Sequence, residues 1–166
     1  MDGGIAAYRE ALRLDPKYSD AAYNLGNALR VKGELDEAIV HLQAVTSDRP
    51  QDAGACYSLG VAFEAKGLFD NAEAAYRQAV ELRSEHVEAH NHLGVILHKR
   101  GRLAEAAEHY VAAILVQPEN GELHQNLGAA LQQQGKVKQA LAAYQRACQL
   151  GLQESCKRIQ PSRQHK

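Results

Sequence analysis

Bulky aromatic side chains are scarce in this 166-residue chain, which has no Trp and two Phe beside seven Tyr. Leu, Ala and Tyr must therefore supply most of any hydrophobic core. With 45% hydrophobic residues the chain has enough apolar material to form one. The 13 Gly indicate that this core is closely packed.

The near-neutral charge and the short apolar runs argue against two classes of partner, nucleic acid and the membrane interior. The formal net charge of −1 gives no overall basic field for nucleic acid. The longest strongly apolar run, residues 110–116, is far too short to cross a bilayer, so we expect no membrane insertion. Residues 1–16 carry charges where a signal peptide needs an apolar block. We expect a soluble protein and favour the cytoplasm over secretion, but three Cys leave the compartment open.

A period of 34 residues is the main feature that is present. Four sets of residues recur in it: two of glycine, one of alanine and one of tyrosine. They are the helix glycines Gly26, Gly60, Gly94 and Gly128; the turn glycines Gly33, Gly67, Gly101 and Gly135; the alanines Ala38, Ala72, Ala106 and Ala140; and the tyrosines Tyr76, Tyr110 and Tyr144, with Tyr8 two periods before Tyr76. Such a period predicts a stack of helical hairpins.

The period divides the chain into four complete repeats preceded by a half repeat. The predicted bounds are 1–18 for the half repeat, 19–52, 53–86, 87–120 and 121–154 for the repeats, 153–160 for a short capping helix and 161–166 for a disordered tail. In the first complete repeat, Gly33 interrupts one apolar pattern of helical spacing and Pro50 follows the next. No linker separates the repeats, so we predict a single domain over residues 1–160.

The helix glycines require compensation, since a glycine inside a helix costs about 1 kcal/mol relative to alanine. Close approach of the second helix would provide it, with the alanines of the period as the facing surface. Leu25, Leu59, Leu93 and Leu127 would pack alongside. We expect the tyrosines to fill the seam between one repeat and the next.

These residues together resemble the tetratricopeptide repeat. The last repeat shows the pattern most fully, with Leu127, Gly128, Leu131, Gly135, Ala140, Tyr144 and Ala147. The likeness extends over residues 1–154 and departs from the usual pattern at Leu42, Val45, Ser84 and Leu152. The run AAYNLGNALRVKG is also similar to the repeats of O-linked N-acetylglucosamine transferases. The resemblance implies an all-α, right-handed superhelical solenoid of antiparallel helix pairs.

It also implies that the first helices line a concave groove that receives an extended peptide or a partner helix. We call the residues expected there the first-helix face. They are Tyr23, Asn24, Asn27, Arg30, Tyr57, Ser58, Val61, Asn91, His92, Val95, Gln125 and Asn126. Amides can pair with a peptide main chain, and tyrosine adds apolar area at a small entropy cost. The alternative is that these are ordinary solvated positions on a helix.

Asn24 and Asn126 match the asparagines by which transferase-type arrays hold a peptide main chain, whereas Ser58 and His92 interrupt this phase. The carboxylate clamp of other tetratricopeptide domains needs basic residues in the groove. Tyr23, Tyr57, Glu88 and Glu122 occupy or neighbour those positions. Acidic peptide termini are therefore poor candidate ligands.

No catalytic or metal site is expected. His86 and His90 are four residues apart and could chelate a metal on one helix face, but Val87 stands where a metalloprotease needs Glu. Cys56, His90 and His124 share one phase, yet neighbouring helices are too far apart to share a metal easily. No nucleophile elbow or phosphate loop is present. We predict a protein without enzymatic activity, cofactor or metal.

Cys148 and Cys156 flank the turn at 150–153 and could face each other. Their spacing resembles that of cysteine-rich, secreted relatives of these arrays, in which a disulfide joins each helical pair. The alternative is that both are small packing residues. We prefer that alternative slightly, because Cys56 is left without a partner.

The half repeat leaves the apolar face of Ile5, Tyr8 and Leu12 without a partner on one side. The chain could therefore belong to a longer array or associate with another copy at this edge. We predict a non-enzymatic protein-interaction scaffold. The alternatives are the substrate-recruiting segment of a larger enzyme such as a glycosyltransferase, and a secreted, disulfide-supported array.

Overall fold

The computed structural model describes residues 2–159, which form ten α-helices and no β-strand. The helices are α1 (Asp2–Leu14), α2 (Ser19–Lys32), α3 (Leu35–Asp48), α4 (Ala53–Ala65), α5 (Phe69–Leu82), α6 (Val87–Lys99), α7 (Leu103–Val116), α8 (Gly121–Gln133), α9 (Val137–Gln149) and α10 (Gln153–Ile159). The predicted all-α fold class is confirmed. The tail predicted at 161–166 lies outside the described residues.

The chain divides into two compact units, Met1–Ser84 and Glu85–Lys166. In the first unit, α2 pairs with α3 and α4 with α5, while α1 packs on α2 and α3 packs on α4. In the second unit, α6 pairs with α7 and α8 with α9, while α7 packs on α8 and α10 packs on α9. Each predicted repeat thus supplies one helical hairpin. The single domain over residues 1–160 stays a prediction.

The apolar side of α1 is used inside the first unit. Ile5 is buried with Leu25, Leu29 and Ala38, and Tyr8 and Leu12 pack against this cluster. The half repeat is therefore held by the hairpin that follows it.

The turn glycines end the first helix of every hairpin in the left-handed region, with φ between 76° at Gly101 and 89° at Gly33. An added Cβ at either residue would meet no atom within 4 Å, so conformation and not space requires the glycine. After Gly33, the Glu34 N–H donates to the Leu29 carbonyl at 2.9 Å and closes the helix end.

Tyr76, Tyr110 and Tyr144 each pack on the helix glycine of their own hairpin, whereas the sequence led us to expect them in the seam between repeats. Tyr144 also contacts α10, and Tyr8 packs on the hairpin that follows α1. A Cβ added at Gly94 would lie 2.6 Å from the Tyr110 ring, and one at Gly60 would lie 2.6 Å from the Tyr76 ring. Leu42 takes the same place over Gly26. The physical reason is that the missing Cβ leaves the room that the ring needs, so the glycine faces the tyrosine directly.

Candidate functional site

In the first unit, α2 and α4 contact each other and present part of the first-helix face. The Tyr23 hydroxyl lies 3.3 Å from the Ser58 hydroxyl, and the Asn27 amide donates to the Tyr23 carbonyl at 3.1 Å. Asn24 is exposed, and within residues 2–159 its side chain makes no hydrogen bond. This asparagine is therefore open to a ligand.

Ser58 differs from its predicted role. Its side chain is buried, because the Tyr23 side chain from the preceding hairpin covers it. Ser58 therefore supports the position of Tyr23 and does not offer its hydroxyl to a ligand.

A polar cluster ends this face of the first unit. The Tyr76 hydroxyl donates to the Glu64 carboxylate at 2.7 Å, and the Tyr57 and Tyr76 ring centroids are 5.9 Å apart. Burial, together with the Glu64 carboxylate, raises the pKa of Tyr76 far above its ordinary value, while Arg30 opposes this shift. The buried Nε atom of Arg30 has no hydrogen-bond partner among the described residues. Val61 is half-buried.

In the second unit, the Asn126 side-chain amide donates to the side-chain oxygen of Asn91 at 3.1 Å. This bond joins residues 35 apart, the same separation as between Tyr23 and Ser58. A side-chain link between neighbouring first helices thus recurs two repeats later. It leaves the Asn91 amide N–H groups and the Asn126 side-chain oxygen available to a ligand.

Of the remaining predicted residues of the second unit, Gln125 is already hydrogen-bonded, and His92 and Val95 are half-buried like the two asparagines. Gln125 accepts its hydrogen bond from the Ser155 hydroxyl of α10 at 3.0 Å. The asparagine pair is therefore the central polar feature of this half of the face.

Several histidines within residues 2–159 make contacts inside or beside their hairpins. The His86 Nδ1 atom accepts the Ala89 N–H at 3.5 Å and caps α6, and His124 Nε2 lies 2.9 Å from the Pro118 carbonyl oxygen. His90 is buried, with its Nδ1 atom 2.9 Å from Nδ1 of His109 on α7. No group of three or more metal-ligating residues occurs within residues 2–159. His109 shares its phase with His41 two periods earlier, but a 34-residue period does not predict which side chain on the facing helix it meets.

Cys148 and Cys156 form a disulfide with a Cα–Cα distance of 4.8 Å, which differs from the packing role that we preferred. The reason is that the turn after α9 brings α10 back against it. Ile159 then packs with Leu131, Ala140 and Tyr144, and the Arg158 guanidinium lies over the Tyr144 ring.

The third cysteine, Cys56, is buried and free. Burial, with a smaller effect of Asp52, raises the pKa of its thiol. A neutral, buried thiol is a core residue and not a nucleophile.

Comparisons with known families give matches along the chain. Models described as tetratricopeptide repeat match residues 1–59, 40–84, 57–114 and 121–151, and one described as TPR repeat matches residues 94–135. No curated protein matches the sequence. None of the helices within residues 2–159 has the length and apolar character needed to cross a membrane.

Solved structures show the same fold. MamA is 25% identical with a TM-score of 0.86, over 93% of this chain and 91% of that chain. YrrB, described as a TPR protein with an unusual peptide-binding site, is 24% identical with a TM-score of 0.80, over 93% of this chain and 80% of that chain. A MamA fragment from Desulfovibrio magneticus RS-1 is 20% identical with a TM-score of 0.78, over 85% and 81%.

Proposed function

Because the chain belongs to the tetratricopeptide repeat family, we propose that it is a non-enzymatic scaffold that binds an extended peptide on its first-helix face. The open amide of Asn24, together with the asparagine pair of the second unit, carries the proposal. The likeness to YrrB supports it at the level of the fold.

The available groups suit a peptide main chain. An asparagine side chain both donates and accepts, so Asn24 can bind a peptide C=O and N–H together. In the second unit, Asn91 retains donors and Asn126 retains an acceptor, because the bond between them uses one N–H of Asn126 and the oxygen of Asn91. That bond also fixes the two amides before a ligand arrives, which lowers the entropy cost of binding.

The neighbouring side chains suit extended backbone more than a charged terminus. Tyr23, which directly precedes Asn24, has a half-buried side chain. Its hydroxyl is already oriented by Ser58. Tyrosine supplies a large contact area with few rotatable bonds. We therefore propose that main-chain hydrogen bonds give affinity and that the tyrosines select apolar side chains.

The proposal is tested with peptides selected from a random library on the wild-type protein. We expect Asn24→Ala and Asn126→Ala each to weaken binding, measured by calorimetry, by about 0.5 to 1.5 kcal/mol per lost hydrogen bond. The control is Gln145→Ala, an exposed amide on α9, which should leave the affinity unchanged. Unchanged affinity in both asparagine variants, with unchanged melting temperatures, would place the binding surface elsewhere.

One observation favours a second candidate, the secreted, disulfide-supported array. The bond between Cys148 and Cys156 is of a kind that persists in oxidising compartments. The recruitment of substrate for a larger glycosyltransferase stays a prediction from the resemblance alone.

A further inference from the structure

An apolar groove lies between α7 and α9 in the second unit, apart from the first-helix face. Its volume is about 710 Å³. Leu127 and Leu131 of α8 contribute to it, and Ala107 and Ala112 line it from α7. We call it the α7–α9 groove. No residue of the first-helix face lines it.

The groove is not a general consequence of the repeat, as the positions two periods earlier in the first unit show. Ile39 corresponds to Ala107 of the groove, and Phe63 corresponds to Leu131. Ile39 and Phe63 are both buried. Smaller side chains in the second unit thus leave the volume that the larger ones fill in the first.

At the edge of the groove, by contrast, the second unit has the more apolar side chains. Gln43 and Ser47 of α3 correspond to Val111 and Leu115 of α7. Val111 is 43% exposed and Leu115 is 80% exposed, and both line the groove. The second unit therefore has an empty apolar hole and, beside it, projecting aliphatic side chains.

Opposite charges occupy the two walls of the groove. Glu108 lies on the α7 wall and Lys136 at the start of the α9 wall. Both are exposed, and neither has an ion pair within the described part of the chain. Each charge can therefore pair with a group of opposite sign on a docked partner.

From these features we propose that the α7–α9 groove is a self-complementary interface with a second copy of this chain. An interface with a two-fold axis uses the same patch on both copies, so that patch must contain both members of every contact. Here it contains Leu115 and the apolar hole, and it contains Glu108 and Lys136. Leu115 of each copy enters the groove of the other, and Glu108 of each copy faces Lys136 of the other.

A second copy is favoured because this one patch supplies both charges, and both the apolar hole and the side chain that would enter it. The edge at α1 is a weaker candidate for self-association, because Ile5, Tyr8 and Leu12 already pack inside the first unit. The α7–α9 groove is therefore the favoured site for a second copy.

The test is sedimentation equilibrium of the whole chain from micromolar to millimolar concentration. We expect a monomer–dimer equilibrium that Leu115→Ser weakens by about tenfold or more, since the variant removes an aliphatic side chain that the dimer would bury. Leu14→Ser is the matched control, because Leu14 is 71% exposed on α1. Circular dichroism checks that both variants stay folded.

Two results would overturn the proposal. A monomer at every concentration would assign the groove to another occupant, such as a partner helix or an apolar ligand. A dimer weakened by Leu14→Ser and not by Leu115→Ser would place self-association at the α1 edge.

Charge exchange tests the two-fold arrangement separately. At low salt, Glu108→Lys and Lys136→Glu should each weaken the dimer, and the double variant should restore it, because the pair reforms with its signs exchanged. A double variant as weak as the single ones would contradict the pairing of these two residues across the interface.

Discussion

A single absent Cβ decides how each hairpin packs. At Gly60, Gly94 and Gly128 the tyrosine ring of the same repeat lies where the Cβ would be, at 2.6 to 2.7 Å. The glycine weakens its own helix, and the buried ring provides the compensation. Glycine and tyrosine are thus one packing unit.

This packing predicts opposite effects for one substitution at two helical glycines. Gly94→Ala should destabilise the protein by about 1 to 3 kcal/mol, because the new Cβ collides with the Tyr110 ring. Gly4→Ala should be neutral or stabilise it, since its Cβ would lie 3.8 Å from Tyr8 and alanine favours the helix. Urea denaturation measures both. A Gly94→Ala variant as stable as Gly4→Ala would contradict the packing.

At the scale of the element, the helical hairpins were predictable because residue signals mark many of the helix boundaries. The turn glycines mark the ends of the first helices, and Asp52 and Asn120 cap the next repeats with their side chains. The position of each tyrosine was not predictable, because a period of 34 residues does not say which neighbouring helix a side chain meets.

The same limit applies to the candidate site. The sequence placed Asn24 on an exposed helix face, where the structure has it. It did not predict that Ser58 is buried or that Gln125 is held by Ser155, because both depend on contacts between helices. The α7–α9 groove arises from side-chain sizes on three helices, so no single repeat reveals it.

The helix α10 is the element whose attachment depends on a covalent bond. With three Cys in the chain and two in the disulfide, the unreduced, denatured protein should give one free thiol. Reduction should speed amide exchange in residues 153–159 before it affects α6, because α10 loses its covalent constraint. The helix would then be held by the noncovalent contacts of Arg158 and Ile159. Mass spectrometry of hydrogen exchange measures this. Three thiols without reductant, or unchanged exchange in α10 after reduction, would contradict the role of the disulfide.

At the scale of the whole molecule, the proposed functions use separate surfaces. We propose that the first-helix face binds peptide and that the α7–α9 groove binds a second copy. No residue belongs to both sets, so a variant in one set should leave the other function intact. A dimer would present two first-helix faces and raise the apparent affinity for a ligand with two binding segments.

The most direct test of peptide binding is nuclear magnetic resonance of the asparagine side-chain amides, with a peptide selected on the wild-type protein. We predict that the amide signals of Asn24, Asn91 and Asn126 shift on titration. The exposed Asn71 on α5 serves as the internal control and should not move. Unmoved signals from Asn24, Asn91 and Asn126, with shifts of the backbone amide signals of Val111 and Leu115 instead, would contradict the proposal and place the peptide in the α7–α9 groove.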